Sequence, residues 1–256
     1  MIYELQYIVA KAGEIIMEVY NTNFEVDYKE DKSPVTIADK RASDFICAEL
    51  SKLSNYPIVC EETFSKVEKY KTYWLVDPLD GTKEFIRKGT DFTVNIALIR
   101  YGRTIAGYVY VPMTKELYYS NSNAGAYKLQ LDVITKEAVI NCTNITKLQV
   151  RDVPEQITVM TSKSHINKET EKFISNYNVK DTFACGSSLK FLMIAEGKAD
   201  LYPRLGLTSE WDTAAAHSIV KEAGGKVVDL QGNELKYNKE NILNPFFVVC
   251  NKYFHL

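Results

Sequence analysis

Two aspartates that lie three residues apart, Asp77 and Asp80, are the first residues in this chain with an evident chemical use. They follow the apolar, β-prone segment 73–76 and are separated by a proline and a leucine. Carboxylates spaced by a turn that contains proline can converge on one hard cation. The Gly81-Thr82 pair that follows offers backbone N–H groups that can hold a phosphate oxygen. The spacing therefore indicates metal-assisted phosphate chemistry.

Further acidic residues stand where a predicted element begins or ends. Glu61 and Glu62 close the predicted strand 57–60, and Asp212 opens an alanine-rich helix. Each has a simpler structural explanation: a helix N-cap for Asp212, a turn for the Asp77 segment and a solvated strand end for the glutamates. Taken singly, each structural explanation is the more economical one.

The composition is that of an ordinary globular protein, with 256 residues, 46% of them hydrophobic and 25% charged. The 31 basic and 33 acidic residues give a net charge of −2, so bulk charge predicts neither nucleic acid nor membrane binding. Peripheral membrane association leaves no detectable signal here. A small anionic ligand would have to be held by local groups and metal ions.

The five cysteines are odd in number, widely spaced and without a CxxC pair. This pattern favours isolated thiols in a reducing cytoplasm over zinc ligands, disulfides or a disulfide-linked partner. The N-terminus lacks the basic and apolar regions of a signal peptide, and no apolar run is long enough to span a membrane. We therefore expect a soluble, cytoplasmic protein.

Hydrophobic periodicity predicts a mixed α/β chain. Helices are expected at 2–20, 36–53, 166–176, 187–196 and 212–223, and strands at 57–60, 73–76, 92–99, 104–111, 116–120, 125–128, 157–161, 199–202, 226–229 and 246–250. The polar stretch 21–35 and the connection 129–155 carry little pattern. Without a linker or repeat, we expect one unit over 1–256, with an N-terminal part of about 1–150 packed closely against a C-terminal part of about 151–256.

The acidic motifs, taken jointly, resemble the lithium-sensitive, magnesium-dependent phosphatase superfamily that includes inositol monophosphatase. That superfamily has Glu-Glu after a strand, Asp-Pro-x-Asp-Gly-Thr, and a later Trp-Asp that opens a helix; here these are Glu61-Glu62, Asp77 to Thr82 and Trp211-Asp212. The Walker, GxGxxG, DxDx[TV] and GxSxG patterns are absent from the sequence. The resemblance implies the layered α/β/α/β/α sandwich of the inositol monophosphatase and fructose-1,6-bisphosphatase type.

The resemblance also implies a set of metal ligands. Glu61, Asp77 and the Leu79 carbonyl would hold one Mg²⁺, and Asp77, Asp80 and Asp212 a second, with a third, weaker ion near Glu61. Two or three such ions can neutralise the phosphate, activate a water and stabilise the leaving alkoxide.

Three further roles follow from the same resemblance. The Thr82 hydroxyl, hydrogen-bonded to Asp39, would help Glu61 to activate the water, and the Gly81 and Thr82 amides would bind the phosphate. Asp39 has a simpler explanation as a first-turn helix acid. Glu62 is better interpreted as support for the ligands.

Several segments look like the CysQ-type 3′(2′),5′-bisphosphate nucleotidases rather than inositol monophosphatases: 80–86, 92–99, 186–191, 201–204 and 208–215. A second phosphate needs cationic anchors away from the metals, and Lys190 and Arg204 could supply them. By the same analogy, the nucleotide side would be lined by Ser164, His165, Gly186 and Ser187. An exposed loop histidine is an equally good explanation of His165, and His217 is expected to be a packing group or a support for the site residues rather than a base.

The resemblance therefore predicts removal of the 3′-phosphate from adenosine 3′,5′-bisphosphate to give AMP, with a possible second substrate in 3′-phosphoadenylyl sulfate. Such an enzyme would clear a by-product of sulfur assimilation and be inhibited by lithium and calcium. The alternatives are an inositol or sugar monophosphate phosphatase and an inactive nucleotide-binding module. The chain departs from the superfamily pattern at three positions. Leu207 stands where proline is common, Ala216 where glycine is common, and Cys60 where serine or glycine is common.

Overall fold

The computed structural model describes residues 1–30, 32–163 and 167–255, and in these residues the chain forms seven α-helices and fourteen strands. The helices are α1 (Ile2–Tyr20), α2 (Ile37–Leu53), α3 (Thr82–Ile86), α4 (Lys136–Ile140), α5 (Lys168–Ile174), α6 (Leu189–Ala195) and α7 (Glu210–Glu222). The strands are β1 (Val26–Tyr28), β2 (Pro34–Thr36), β3 (Ile58–Cys60), β4 (Thr72–Asp80), β5 (Thr93–Arg100), β6 (Arg103–Val111), β7 (Glu116–Asn121), β8 (Gly125–Gln130), β9 (Ile145–Lys147), β10 (Ile157–Ser162), β11 (Val179–Cys185), β12 (Leu201–Arg204), β13 (Gly225–Asp229) and β14 (Phe247–Asn251).

Two sheets organise these elements. The larger has the order β3-β4-β5-β6-β7-β8-β9 and is antiparallel except for the parallel pair β3 and β4. The smaller has the order β11-β10-β12-β14-β13, with β10 parallel to both of its neighbours. A hairpin of β1 and β2 stands apart from both. The parallel pairing of β3 with β4 brings the ends of these two strands to the same edge of the large sheet.

The helices complete five layers. Helices α1 and α2 cover one face of the large sheet, α6 and α7 fill the space between the sheets, and α5 covers the outer face of the small sheet. Strand β5 shows why the large sheet is covered on both sides: Ile96 packs towards α1 and α2, whereas Ala97 packs towards α7. The predicted α/β/α/β/α layering is confirmed.

Some element predictions were wrong. The helix expected at 187–196 begins only at Leu189, because Ser187 adopts a left-handed conformation with φ 52°. Strand β11 was missed because it is an exposed edge strand with many polar side chains. The weakly patterned stretches contain the short elements β1, β2, α4 and β9.

The large sheet ends at Lys147 and the small sheet begins at Ile157, but one buried cluster packs against both. The division into parts 1–150 and 151–256 stays a prediction. None of the described helices has the length and apolar character needed to cross a membrane.

Gly107 allows α7 to lie directly on β6. A Cβ atom at this position would stand 2.1 Å from the carbonyl oxygen of Ala215 and 2.8 Å from the Cβ of Ser218. Both contacts are with the α7 residues that pack on the sheet, and the Ser218 hydroxyl is itself fixed by the Ser120 hydroxyl at 2.9 Å. The close approach also holds the start of α7, which carries Asp212, in place against the large sheet.

We expect Gly107→Ala to lower the free energy of unfolding by about 3 kcal/mol, because overpacking of this kind displaces backbone. Urea denaturation monitored by circular dichroism measures the change. Ser122→Ala, in an exposed turn, is the control and should change stability by less than about 0.5 kcal/mol. A fully stable Gly107→Ala variant would show that α7 can move away from β6.

Candidate metal and phosphate site

The Asp77 segment is a bulge at the end of β4. Asp77 pairs with Asn95 and Asp80 with Thr93, so β4 advances three residues while β5 advances two. The proline between the two aspartates cannot donate a ladder hydrogen bond, which suits a bulge. One oxygen of Asp77, Oδ1, accepts a hydrogen bond from the Leu79 N–H at 3.1 Å. The bulge thereby turns both carboxylates towards the strand end.

Gly81 ends the bulge in a conformation that only glycine adopts readily. Its φ is 94°, and a Cβ atom would lie 2.7 Å from the carbonyl oxygen of Asp91. The turn places Thr82 at the first position of α3. The Gly-Thr pair predicted to bind phosphate therefore directly adjoins the carboxylates.

Asp212 enters the site from α7. Ser209 is the N-cap of this helix, and Asp212 occupies the third helical position, where its Oδ2 accepts a hydrogen bond from the Ser209 N–H at 2.7 Å. The simple N-cap explanation of Asp212 is therefore wrong in detail, because Ser209 holds that position. The reciprocal capping box fixes the direction in which the Asp212 carboxylate points.

Three carboxylates from separate elements converge at this point. Glu61, in a 3₁₀ turn directly after β3, meets Asp77 and Asp212, and each offers an oxygen within 4.8 Å of the other two. Asp80 lies nearby, and its Oδ2 accepts hydrogen bonds from the hydroxyls of Ser187 at 2.7 Å and Ser188 at 3.2 Å. Four of the predicted ligand side chains therefore belong to one site.

The protein does little to neutralise the centre of this cluster. Asp77 is 1% exposed, and burial, reinforced by the charges of Glu61, Asp80 and Asp212, raises its pKa well above the usual range. Burial likewise raises the pKa of Asp212, with the charge of Asp80 as the next cause. Buried like charges are costly unless a cation joins them. Oxygen ligands in this number suit a hard divalent ion.

Lys29 is a cation that the sequence did not indicate. Its Nζ, carried on the β1–β2 hairpin, donates to Glu61 Oε1 and Glu62 Oε1, both at 2.7 Å. Glu62 thus shares a partner with Glu61, in agreement with a supporting position beside the ligands. The only signal in the sequence is a lysine in a polar stretch, which normally indicates a solvated loop.

Asp39 is both an acid in the first turn of a helix and a partner of Thr82, the two roles that the sequence left open for it. Its Oδ2 accepts from the N–H and the hydroxyl of Thr36, both at 2.7 Å, and so completes the capping box of α2. Its Oδ1 accepts from the Thr82 hydroxyl at 3.0 Å. The same hydroxyl lies 3.1 Å from the Leu79 carbonyl oxygen. Asp39 therefore connects the start of α2 to the Gly-Thr turn.

A pocket of about 430 Å³ opens beside the carboxylates. Its lining brings together most of the predicted substrate residues with the acidic centre: Glu61, Asp80, Gly81, Thr82, Gly186, Ser187, Lys190, Arg204 and Asp212. Ser164 and His165, which were also predicted to line it, lie outside the described residues. The pocket has room for a ligand larger than a single phosphate group.

The two predicted cationic anchors, Lys190 and Arg204, differ in the hydrogen bonds that they make within the protein. Lys190 is 5% exposed, and its Nζ donates to the carbonyl oxygens of Ser187 at 2.6 Å and Cys185 at 3.2 Å, which leaves one of its three N–H groups for a ligand. Burial lowers the pKa of this ammonium group. Arg204 donates from Nη2 to the Leu207 carbonyl oxygen at 2.9 Å. Its buried Nε finds no hydrogen-bond partner among the described residues.

Gly186 and Ser187 are held by groups that the sequence analysis did not single out. The Gly186 N–H donates to Asp91 Oδ2 at 2.9 Å, and Lys163 forms an ion pair with the same oxygen at 2.6 Å. The Ser187 hydroxyl, besides its bond to Asp80, lies 2.6 Å from that of Thr93. Ser187 thus lines the pocket, while its hydroxyl group is hydrogen-bonded to Asp80.

Comparison with known proteins agrees with this geometry. Residues 1–247 match the sequence profile of the inositol monophosphatase family. The chain belongs to this family. It is 41% identical over 256 residues to the 3′(2′),5′-bisphosphate nucleotidase CysQ of Salmonella typhimurium, with 97% of this chain and 99% of that protein covered. The Escherichia coli K12 protein of the same name is 40% identical over the same coverage.

Solved structures of the inositol monophosphatase family share the fold. CysQ from Bacteroides thetaiotaomicron superimposes with a TM-score of 0.82 at 39% identity, covering 96% of this chain and 95% of that one. An inositol monophosphatase from Thermotoga maritima gives a TM-score of 0.77 at 25% identity, covering 96% and 90%. The predicted family and its sandwich fold are confirmed.

His217, in contrast, does not line the pocket beside the carboxylates. It is buried in α7, where its Nδ1 lies 2.8 Å from the Tyr237 hydroxyl, and burial lowers its pKa. Of its two predicted interpretations, a packing group or a support for the site residues, the contact with Tyr237 in the core agrees with the first.

Proposed function

We propose that this protein is a magnesium-dependent 3′(2′),5′-bisphosphate nucleotidase that hydrolyses adenosine 3′,5′-bisphosphate to AMP and phosphate. The observation that carries the proposal is the position of the acidic centre beside a pocket whose wall also contains Arg204 and Lys190. Relatives that are 40–41% identical over their whole length carry the name of this activity. A 3′-phosphoadenylyl sulfate molecule has the same 3′-phosphate and is a second proposed substrate.

The residues present fit two or three Mg²⁺ ions. Glu61, Asp77 and the Leu79 carbonyl would hold one ion, and Asp77, Asp80 and Asp212 a second, with a third near Glu61. The convergence of three carboxylates within 4.8 Å around the buried Asp77 supports this assignment, since the described neighbours leave Asp77 without a cation of its own. When bound, such ions neutralise the phosphate and supply an acidic water at neutral pH.

The chain's own residues would then orient that water and take its proton. Thr82 donates its hydroxyl proton towards Asp39, so the lone pairs of the hydroxyl oxygen can accept a hydrogen bond from the water. Burial raises the pKa of Asp39, which makes its carboxylate a better proton acceptor. We assign the phosphate oxygens to the amides of Gly81 and Thr82. Glu61 is the third proposed catalytic residue, because its carboxylate lies within 4.8 Å of that of Asp77 and would adjoin the attacking water.

The rest of the substrate would occupy the pocket beyond the metals. Arg204 is proposed to bind the second phosphate with its guanidinium group, and Lys190 to add a point charge from deeper in the wall. The nucleoside side is assigned to Gly186 and Ser187, together with Ser164 and His165. An inositol ring has no second phosphate and would not use Arg204 in this way.

The proposal is tested by phosphate release from three substrates in the presence of Mg²⁺. We expect hydrolysis of adenosine 3′,5′-bisphosphate to exceed that of inositol 1-phosphate and fructose 1,6-bisphosphate by at least about a hundredfold in kcat/KM, equivalent to about 3 kcal/mol. Removal of Mg²⁺ with a chelator should abolish the activity, and Mg²⁺ should restore it, whereas lithium and calcium should inhibit. A preference for inositol phosphate would contradict the substrate assignment. No release from any substrate would instead favour a nucleotide-binding module.

A further inference from the structure

A short segment before β14, residues 238–244, runs along the first turn of α7. Its Asn244 N–H donates to the Thr208 carbonyl oxygen at 2.8 Å, and its Ile242 carbonyl oxygen accepts from the Glu210 N–H at 2.9 Å. These two bonds form a short antiparallel pairing between the segment and the chain that enters α7. The segment is therefore attached to the helix end that carries a proposed metal ligand.

The buried side chain of Asn244 adds further contacts with the same helix end. It is 5% exposed, and its Nδ2 lies 2.7 Å from the Ser209 carbonyl oxygen, 3.1 Å from the Thr213 hydroxyl oxygen and 3.2 Å from that of Thr208. Its Oδ1 accepts a hydrogen bond from Lys239 Nζ at 3.3 Å. A carbonyl oxygen can only accept and an ammonium group can only donate, so these two partners fix the orientation of the amide.

The residues that Asn244 holds stand on both sides of Asp212. The Ser209 N–H donates to Asp212 Oδ2 at 2.7 Å, and Asn244 binds the carbonyl oxygen of the same serine. Thr213 directly follows Asp212 and is bound by the same amide. Asn244 itself does not line the pocket. Loss of a group that orients a metal ligand typically weakens metal binding roughly ten- to a hundredfold.

We propose that Asn244 is a positioning residue for the metal site, which keeps the Asp212 carboxylate beside those of Glu61 and Asp77 and thereby strengthens the binding of Mg²⁺. This inference rests on the proposed function in taking Asp212 as a metal ligand, but it does not depend on which phosphate is hydrolysed. The sequence gives no sign of this role, because an asparagine before Pro245 normally indicates a turn.

A second attachment of the segment is independent of the Asn244 side chain. The Glu210 carboxylate, which is 1% exposed, accepts hydrogen bonds from the N–H groups of Asn238 at 2.8 Å and Lys239 at 3.0 Å. This attachment and the backbone pairing remain when the Asn244 side chain is shortened. We therefore expect variants at position 244 to fold.

A comparison of Asn244→Ala with Asn251→Ala tests the proposal. Asn251 is 6% exposed, and its Nδ2 donates to the Arg151 carbonyl oxygen at 2.7 Å, so both variants lose a buried amide that binds a backbone carbonyl. Asn251 does not line the pocket. In the presence of a chelator, each substitution should lower the melting temperature by about 5 °C.

The decisive readout is the rise in melting temperature with increasing Mg²⁺ concentration, which needs no substrate. Asn244→Ala should require about tenfold more Mg²⁺ than the wild type to reach the same rise, whereas Asn251→Ala should follow the wild type. A wild-type dependence on Mg²⁺ in Asn244→Ala would overturn the proposal. An equal shift in Asn251→Ala would overturn it too, because the weaker binding would then be a general result of lost stability.

Asn244→Asp is a second variant that keeps the size of the side chain. Its carboxylate cannot donate to the Ser209 carbonyl oxygen, and Lys239 Nζ, beside the retained oxygen, can pair with the added charge. We expect the same weakening of Mg²⁺ binding as in Asn244→Ala. A wild-type response to Mg²⁺ would show that the N–H donors are not needed and would refute the role of Asn244.

Phosphate release from adenosine 3′,5′-bisphosphate separates this proposal from the proposed function. A wild-type protein that is stabilised by Mg²⁺ but releases no phosphate would refute the nucleotidase assignment, while the Mg²⁺ dependence of the Asn244 variants would still support the positioning role. An active wild type with an unshifted Asn244→Ala variant would give the reverse result. A wild-type protein whose melting temperature does not respond to Mg²⁺ would refute both.

Discussion

Asp77→Asn is expected to abolish phosphatase activity and, at the same time, to make the metal-free protein more stable. Asp77 is the proposed bridge between two metal ions, and an amide oxygen is a much weaker ligand for Mg²⁺ than a carboxylate. We expect kcat/KM to fall by at least about a thousandfold, equivalent to about 4 kcal/mol of transition-state stabilisation. The stabilisation of the fold by added Mg²⁺ should be lost in the same variant.

The expected gain in stability of the metal-free Asp77→Asn variant follows from the charges around residue 77. The side chain is 1% exposed and shares its site with the carboxylates of Glu61 and Asp212, within 4.8 Å. Asparagine keeps an oxygen that can accept the Leu79 N–H but removes one of the repelling charges. We expect a gain of about 1–2 kcal/mol in the free energy of unfolding, since an unneutralised buried charge is costly.

Urea denaturation in a chelator, with and without excess Mg²⁺, measures both changes. Asp44→Asn, an exposed aspartate on α2, is the matched control and should alter neither activity nor Mg²⁺ stabilisation. Magnesium-dependent turnover in Asp77→Asn would refute the ligand assignment. A less stable metal-free variant would refute the argument from repulsion.

Much of the fold could be predicted because its central elements bury one or both faces. Helices α1 and α2 and strands β5 and β6 carry long hydrophobic patterns, and their predicted bounds agree with the structure to within a residue or two. Strand β11 could not be predicted in this way. Most of its residues are exposed, and it is held by backbone hydrogen bonds to β10, which leave no periodicity in the sequence.

The acidic centre could be predicted only through a motif resemblance. Nothing local to Glu61, Asp77 or Asp212 shows that these residues meet, because each also has an ordinary explanation within its own element. Their meeting depends on the parallel pairing of β3 with β4 and on the packing of α7 against the large sheet. Both are tertiary arrangements without a signature in any one segment.

The partners of the ligands were less predictable still. Lys29 reaches Glu61 from a hairpin of two three-residue strands, too short for a periodic signal. Ser187 donates a hydrogen bond to Asp80 from a left-handed backbone conformation that normally favours glycine. A serine at this position gives no sign in the sequence that the turn is constrained.

Arg204→Ala is expected to impair hydrolysis of adenosine 3′,5′-bisphosphate but not of inositol 1-phosphate, although both reactions would use the same metal centre. The Arg204 side chain lines the pocket beside the carboxylates. A phosphate that is not attacked can accept charge-assisted hydrogen bonds from the guanidinium group. We expect kcat/KM for adenosine 3′,5′-bisphosphate to fall about a hundredfold, which corresponds to about 3 kcal/mol, with at most a twofold change for inositol 1-phosphate.

Two further variants make the result specific to the guanidinium group. Arg204→Lys keeps the charge but loses the planar fork, so its activity on the bisphosphate should lie between those of the wild type and the alanine variant. Arg103→Ala removes an exposed arginine at the start of β6 and should leave both substrates unaffected. Equal losses on both substrates in Arg204→Ala would mean that this arginine supports the pocket wall, through its bond to the Leu207 carbonyl, and does not select the substrate. A loss confined to the bisphosphate would instead place the second phosphate at Arg204, because the metal centre is common to both reactions.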